Sequence, residues 1–246
     1  MKILVAISQT PETTARIAFK NEGTTFDTSG VNFIMNPYDE WYALVRALEL
    51  KEEKGGTVTV IHCGPASNDV IIRKALAIGA DDAVRIDLEP RSAHVIATQI
   101  AAYAKDKTFD LIMTGKETID YNESLVGGMI AELLELPFIS HVSKLVYNND
   151  QPLLTRDIEG GVEEIEVTGP YVLSASKGLA EQRIPNMRGI MSAKTKPLQV
   201  IIPTPETSLA DYIHFQVPET KSTVKMIDPN DMDELVRVLH EEAKVI

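Results

Sequence analysis

The chain has one cysteine, one tryptophan, and only 24 lysines and arginines against 36 aspartates and glutamates in 246 residues. A lone cysteine, Cys63, excludes an internal disulfide framework. Nothing else asks for an oxidising compartment, so a cytoplasmic location, or the mitochondrial matrix in a eukaryote, is expected. The net charge of -12 repels polyanions over most of the surface and argues against nucleic-acid binding and anionic membranes. No apolar run approaches the ~18 residues that span a bilayer. The N-terminal MKILVAISQT is too short in its apolar part for a leader and lacks a small-residue cleavage site, so no membrane insertion is expected.

Catalytic patterns are equally scarce. His94, His141, His214 and His240 show no metal-ligand spacing with one another or with Cys63, and no metal is assigned. His62 and Cys63 are neighbours on an expected strand, so they point to opposite faces and cannot act as a base and nucleophile on each other. Neither G-x-x-x-x-G-K-[ST] nor G-x-G-x-x-G occurs. No catalytic residue is assigned.

What is present is an α/β pattern, with 44% hydrophobic residues, enough for a full core. Lys2–Ser8, Thr57–Gly64, Ala83–Asp87 and Phe109–Gly115 are β-rich runs alternating with helical patterns, which predicts a parallel sheet with crossover helices. Asn36 is placed to cap a helix, with Pro37 at its first position and Asp39 and Glu40 at the positive end of its dipole. Trp41, Leu44, Val45 and Leu48 follow at helical spacing, and Gly55 stops it. Ser67 opens a second helix that ends at Gly79, and Ser124 opens a third that Pro137 closes. Beyond Pro137, the turns Asn148-Asn149-Asp150 and Gly160-Gly161 between alternating residues predict antiparallel hairpins. The division expected is a nucleotide-binding α/β domain over 1–198 and an arm over 199–246, Pro-punctuated until a helix that starts at Asn230, lying on the core or on a partner.

In an open parallel sheet, ligands bind beyond the carboxyl ends of the strands. The loops after Ser8, Cys63 and Gly115 should therefore converge, joined by the loop before Asn36. The polar stretch GKETIDYNES leads into LVGG, where a helix start offers free N–H groups and Gly127 and Gly128 let a phosphate come close. A glycine pair opening a helix also serves plain packing, and both readings stand. Met187 and Met191, four apart, fit either a core stripe or an adaptable apolar contact.

Four ordered segments, MNPYDEWYALVRALELKE, CGPASNDVIIRKALAIGADDAVRI, RDIEGGVEEIEVTGPYVLSA and QRIPNMRGIMSAKTKPL, resemble the β-subunit of electron transfer flavoprotein. That resemblance implies a Rossmann-like parallel sheet with crossover helices, added antiparallel hairpin strands and an extended C-terminal arm. It also implies an obligate heterodimer with an α-subunit that carries most of the FAD contacts, and a structural AMP in this subunit. Members pass electrons from flavoprotein dehydrogenases, such as the acyl-CoA dehydrogenases of fatty acid oxidation, to a quinone oxidoreductase or another acceptor. The cofactor does the chemistry and the protein orients it.

Position by position, the resemblance puts AMP against Ala6, Asn36, Pro37, Tyr38, Asp39, Cys63 and the loop that begins at Asp120 and continues through Asn122, Ser124, Leu125, Val126, Gly127 and Gly128. Tyr38 would also approach the flavin. Where the family carries Gln in D-x-x-x-x-Q-x-G, this chain has Leu125, which offers no side-chain hydrogen bond. Gln182–Ala193 matches the family's recognition loop, with Met187 at the position of the anchoring Leu, flanked by Arg183 and Ile190. Arg188 and Ser192 replace the usual Pro and Lys. A bifurcating member would hold a second FAD instead of AMP and use NADH, but the D-R-x-F-x-G-x-D-T segment typical of those is absent. A nucleotide-binding stress-type or ATP-using module shares the same broad plan.

Overall fold

A computed structural model of the chain describes residues 1–89, 92–219 and 224–246. In chain order its elements are β1 (Lys2–Ala6), β2 (Gln9–Pro11), β3 (Phe19–Lys20), β4 (Thr25–Phe26), β5 (Phe33–Met35), α1 (Asp39–Lys54), β6 (Thr57–Cys63) and α2 (Asp69–Ile78). There follow β7 (Asp82–Ile86), α3 (Ala93–Ala104), β8 (Leu111–Gly115), α4 (Val126–Leu133), β9 (Phe138–Asn148), β10 (Gln151–Ile158) and β11 (Gly161–Glu166). Last come β12 (Tyr171–Ala175), α5 (Met187–Ala193), β13 (Leu198–Ile201) and α6 (Met232–Arg237).

One nine-stranded sheet, in the order β11-β10-β9-β12-β8-β1-β6-β7-β13, forms the middle layer. From β9 to β13 every pairing is parallel, and only β10 and β11 add an antiparallel edge. Strand alternation divides the core between the two faces. Ile3, Val5 and Ile7 pack with Leu44, Leu48, Ile72 and Leu76 of α1 and α2, whereas Leu4 and Ala6 pack with Ile100 of α3 and Ile130 of α4. Chain order runs outward from β1 to β6 and β7 on one side and to β8 and β12 on the other. The crevice at which winding reverses therefore lies beyond the carboxyl ends of β1, β6 and β8.

Several local expectations shift. Tyr171–Ala175 lies parallel between β8 and β9 instead of in a hairpin. The sheet ends at Ile201, so the arm departs from Ile202. Residues 9–35 form two small antiparallel pairs, β2 with β5 and β3 with β4. The helix expected from Ser124 begins at Val126 as α4, and the one expected from Asn230 begins at Met232 as α6, where Asp231 caps it. The arm runs along the core first: Gln99 exchanges hydrogen bonds of 2.8 and 2.9 Å with the Thr204 backbone, and Phe215 N donates to Gly23 O at 2.7 Å. No helix among the described residues is long and apolar enough to cross a membrane.

Leu44 is fully buried on α1, whereas Val70 on α2 is 75% exposed. Leu44→Ala is expected to cost ~2–5 kcal/mol in denaturant unfolding, and Val70→Ala less than ~0.5 kcal/mol. Equal losses would contradict the placement of the core.

Candidate functional site

Three strand ends and one asparagine build the crevice. β1 ends at Ala6, and Ser8 just beyond it accepts a 3.0 Å hydrogen bond from Asn36 N. The Asn36 side chain, buried, then holds the loop after β8 with two bonds: Nδ2 donates to Glu117 O at 3.0 Å, and Ile119 N donates to Oδ1 at 3.2 Å. Asn36 thus serves as a clamp, not the expected helix cap. Helix α1 starts at Asp39, and Tyr38 occupies the cap position without a capping side chain. Pro37 is half-buried, which leaves Tyr38 projecting at the rim, 49% exposed.

A cleft of about 220 Å³ opens there, between Asn36, Tyr38, Asp39 and Tyr42 on one side and Lys116 and Lys177 on the other. Its polar groups are mixed in sign. Burial pushes the Asp39 carboxyl up, opposed by the Lys116 ammonium. Lys116 pairs with Glu117 at 2.9 Å and holds that carboxyl down.

The strand ends of β1 and β6 are closed and inert. Ala6 and Cys63 are both buried, and burial pushes the Cys63 thiol up to about 12, so it stays a neutral packing group. His62 is buried beside it, with Nδ1 2.8 Å from Ile7 O and Nε2 2.9 Å from Asn68 Nδ2. Those partners fix the tautomer, with Nδ1–H donating and Nε2 accepting. Desolvation lowers its pKa and keeps it neutral. The ring stiffens the turn after β6, where Gly64 is required: a Cβ there would meet His62 Nε2 at 2.3 Å.

From Asp120 to Leu125 the loop is exposed, including Asn122, Glu123 and Ser124. Asn122 and Ser124 both have φ of 54°, and Leu125 then turns right-handed into α4 without any side-chain cap. An alternation of that kind points successive N–H groups the same way, a concavity suited to an anion. Val126 is half-buried behind it. Gly127 has another job: a Cβ there would lie 2.7 Å from Thr114 Oγ1 and 2.9 Å from Phe138 Cε2, so this glycine lets α4 close on the sheet. Gly128, with 3.4 Å to Phe138, has ordinary contact distance. Over the start of α4 a second cleft, about 200 Å³, lies between Leu125 and Met129 and the arm residues Leu209 and Tyr212. Tyr212 stacks on Tyr121 at 4.7 Å and donates its hydroxyl hydrogen bond to Glu123. The expected site residues therefore fall into a rim on the first cleft (Asn36, Tyr38, Asp39), a buried pair in the core that lines neither cleft (Ala6, Cys63) and a loop that reaches the second cleft through Leu125.

The segment Gln182–Ala193 is built differently from the turn-rich loop expected. Met187–Ala193 is a helix capped by Asn186, whose side chain accepts from Gly189 N at 2.8 Å. Gly189 lies against α2 so closely that a Cβ would be 2.3 Å from Ala77 O. Polar pins fasten the rest: Trp41 Nε1 donates to Arg183 O at 3.2 Å, the Arg183 guanidinium spans Glu52 at 2.7 and 3.1 Å, and Arg73 donates to Ala193 O at 2.8 Å. The outer face is apolar: Met187 is 73% and Ile184 82% exposed, with Met191 and Ile190 beside them. Of the two readings of the methionine pair, exposure favours the contact surface over the core stripe.

Set against known proteins, the chain matches the family model for the electron transfer flavoprotein domain over residues 23–206. Among similar proteins, the electron transfer flavoprotein subunit beta of Bacillus subtilis (strain 168) is 36% identical over 261 aligned positions covering 100% of both chains. That of Thermoanaerobacterium thermosaccharolyticum is 37% identical over 80% of this chain and 76% of its own. The human protein of the same name is 33% identical over 82% of each. The chain belongs to the electron transfer flavoprotein β-subunit family, a family of electron carriers.

Gly127→Ala should cost about 1–3 kcal/mol of stability through overpacking. The cost should shrink when Phe138 is also cut to Ala, because the two sites touch. A double-mutant cycle by denaturant unfolding checks this, and additive losses would mean that the glycine serves something other than the helix–sheet contact.

Proposed function

We propose that this chain is the holding half of an electron-carrying heterodimer. It pairs with an electron transfer flavoprotein α-subunit that binds most of the FAD, and it keeps one structural AMP in its own crevice. When bound, the FAD would supply the redox chemistry between flavoprotein dehydrogenases, such as acyl-CoA dehydrogenases, and a quinone oxidoreductase or another acceptor.

The observation that carries the nucleotide reading is the uncapped start of α4, beside a loop that Asn36 clamps at the carboxyl ends of parallel strands. The fit is to the phosphate, which the N–H groups at Leu125 to Gly127 can receive in place of a capping side chain. Leu125 adds no hydrogen bond of its own, so the hold depends on the backbone. Ala6 and Cys63 back the strand ends from the core, and Tyr38 at the rim is the side chain offered towards the partner's flavin. On the opposite side, the apolar knob of Met187 and its neighbours is the anchor for dehydrogenase partners. Its pins to α1 and α2 hold it ready, which lowers the ordering cost of docking.

Co-expression with the neighbouring α-subunit, followed by identification of the nucleotides released on denaturation, tests the cofactor assignment. One FAD and one AMP per heterodimer are expected; two FAD would identify a bifurcating type and reject the AMP site. For the knob, Met187→Ala should weaken dehydrogenase docking by ~2 kcal/mol, roughly thirtyfold, and slow partner-dependent reduction. Flavin content and melting temperature should stay unchanged. A stability loss with normal partner kinetics would reject the anchor.

A further inference from the structure

Glu40, in the first turn of α1, is a buried carboxyl that none of the contacts described so far explains. An acid in that position usually faces water and complements the helix dipole. This one instead points under the sheet's end, where Oε2 accepts from Ser8 N at 2.5 Å and Oε1 meets the Ser8 hydroxyl. It presses on the end of β8 as well, since a Cβ on Gly115 would lie 2.7 Å from Glu40 Cγ.

Ser8 is the shared member of two sets of bonds. Its N–H and hydroxyl are taken by Glu40, and its carbonyl accepts from Asn36 N, whose side chain in turn grips Glu117 and Ile119. The bonds form a continuous path from the buried carboxyl to the polar loop. We infer that Glu40 is a positioning residue for that loop, acting through Ser8 and Asn36. The inference rests on the proposed nucleotide site only for what the loop holds; the path itself consists of this chain's own atoms.

The path depends on protonation. Burial pushes the Glu40 carboxyl up to about 8, the Ser8 bonds pull it back, and Asp120 in the loop and Asp39 on its own helix push it further up. β1 and β8 face it with Ser8 and Gly115, which carry no charge. The neutral carboxyl is the form that folding favours. Its contribution is complete below the ordinary carboxylate range and fades as pH rises through about 8. Ionisation then leaves a buried charge beside two acids, which the two Ser8 bonds offset only in part, and so favours opening of the junction.

Hydrogen exchange read by mass spectrometry on the assembled full chain tests this, with protection normalised to the intrinsic rate at each pH. The reporter is the Ile119 amide, and the control is the Lys116 amide, which donates to Ala175 O at 2.9 Å. Protection at Ile119 should fall above the midpoint by up to about tenfold per pH unit, the limit for one proton, while Lys116 stays protected. Glu40→Gln keeps the shape without the charge, its amide oxygen accepting from Ser8 N and its amide nitrogen donating to the Ser8 hydroxyl, so its protection should not fall. Ser8→Ala removes a bond that favours the ionised form and should move the midpoint to higher pH. If Glu40→Gln does not fold, the Ser8→Ala midpoint decides alone. A Gln variant that loses protection with the wild type, or an unmoved midpoint in Ser8→Ala, overturns the inference. Nucleotide content is measured on the same samples: its absence would reject the proposed AMP but leave these profiles as they are.

Discussion

Ser8, where β1 runs out, carries the crevice. A parallel sheet buried on both faces ends in peptide groups that have no further strand to pair with, and each needs a partner. At Ser8 the amide goes to Glu40 and the carbonyl to Asn36, so the first turn of α1 and the loop after β8 are both referred to one residue. The Asn36 clamp, the seating of Glu40 against Gly115 and the cleft under Tyr38 all follow from that junction. The His62–Asn68 pair does the same work one strand away, fastening the β6 turn to Ile7 O.

Around this fixed junction the molecule offers two surfaces of another kind. The knob at Met187 is apolar outside and pinned inside, and the arm leaves the sheet with Ile202, Leu209 and Ile213 all more than half exposed. Tyr121, Tyr212, Phe215 and Phe19 stack in succession and fasten the near part of the arm to the loop. An electron carrier needs this division, because its cofactor must be held rigidly while its partners change.

Much of the fold was legible in the residues. β1 and β6 are short apolar runs bounded by turns, and α1 shows a full apolar stripe. What was misread had its cause in tertiary contacts. Asn36 before Pro37 has the pattern of a cap, and only the loop arriving from far along the chain makes it a clamp. Glu40 looks like any acid of a first helical turn. Gly127 offers close packing or close approach of a phosphate in the sequence, and Phe138 is the packing partner that only the fold supplies. The helix Ala93–Ala104 is hidden in the sequence because its alanine-rich run shows little contrast between faces, and Met187–Ala193 because it is only seven residues long, holds Gly189 and follows Pro185 closely. The hairpin pattern beyond Pro137 does not show that the chain crosses over at Tyr171–Ala175 to pair in parallel with β8 and β9.

The proposed division of labour, in which this subunit holds a nucleotide and contributes no redox group, is tested most directly by an anaerobic reductive titration of the assembled heterodimer. Uptake of the electrons that one flavin accepts, with no further bleaching, is the predicted result. Uptake corresponding to two flavins per heterodimer would contradict it.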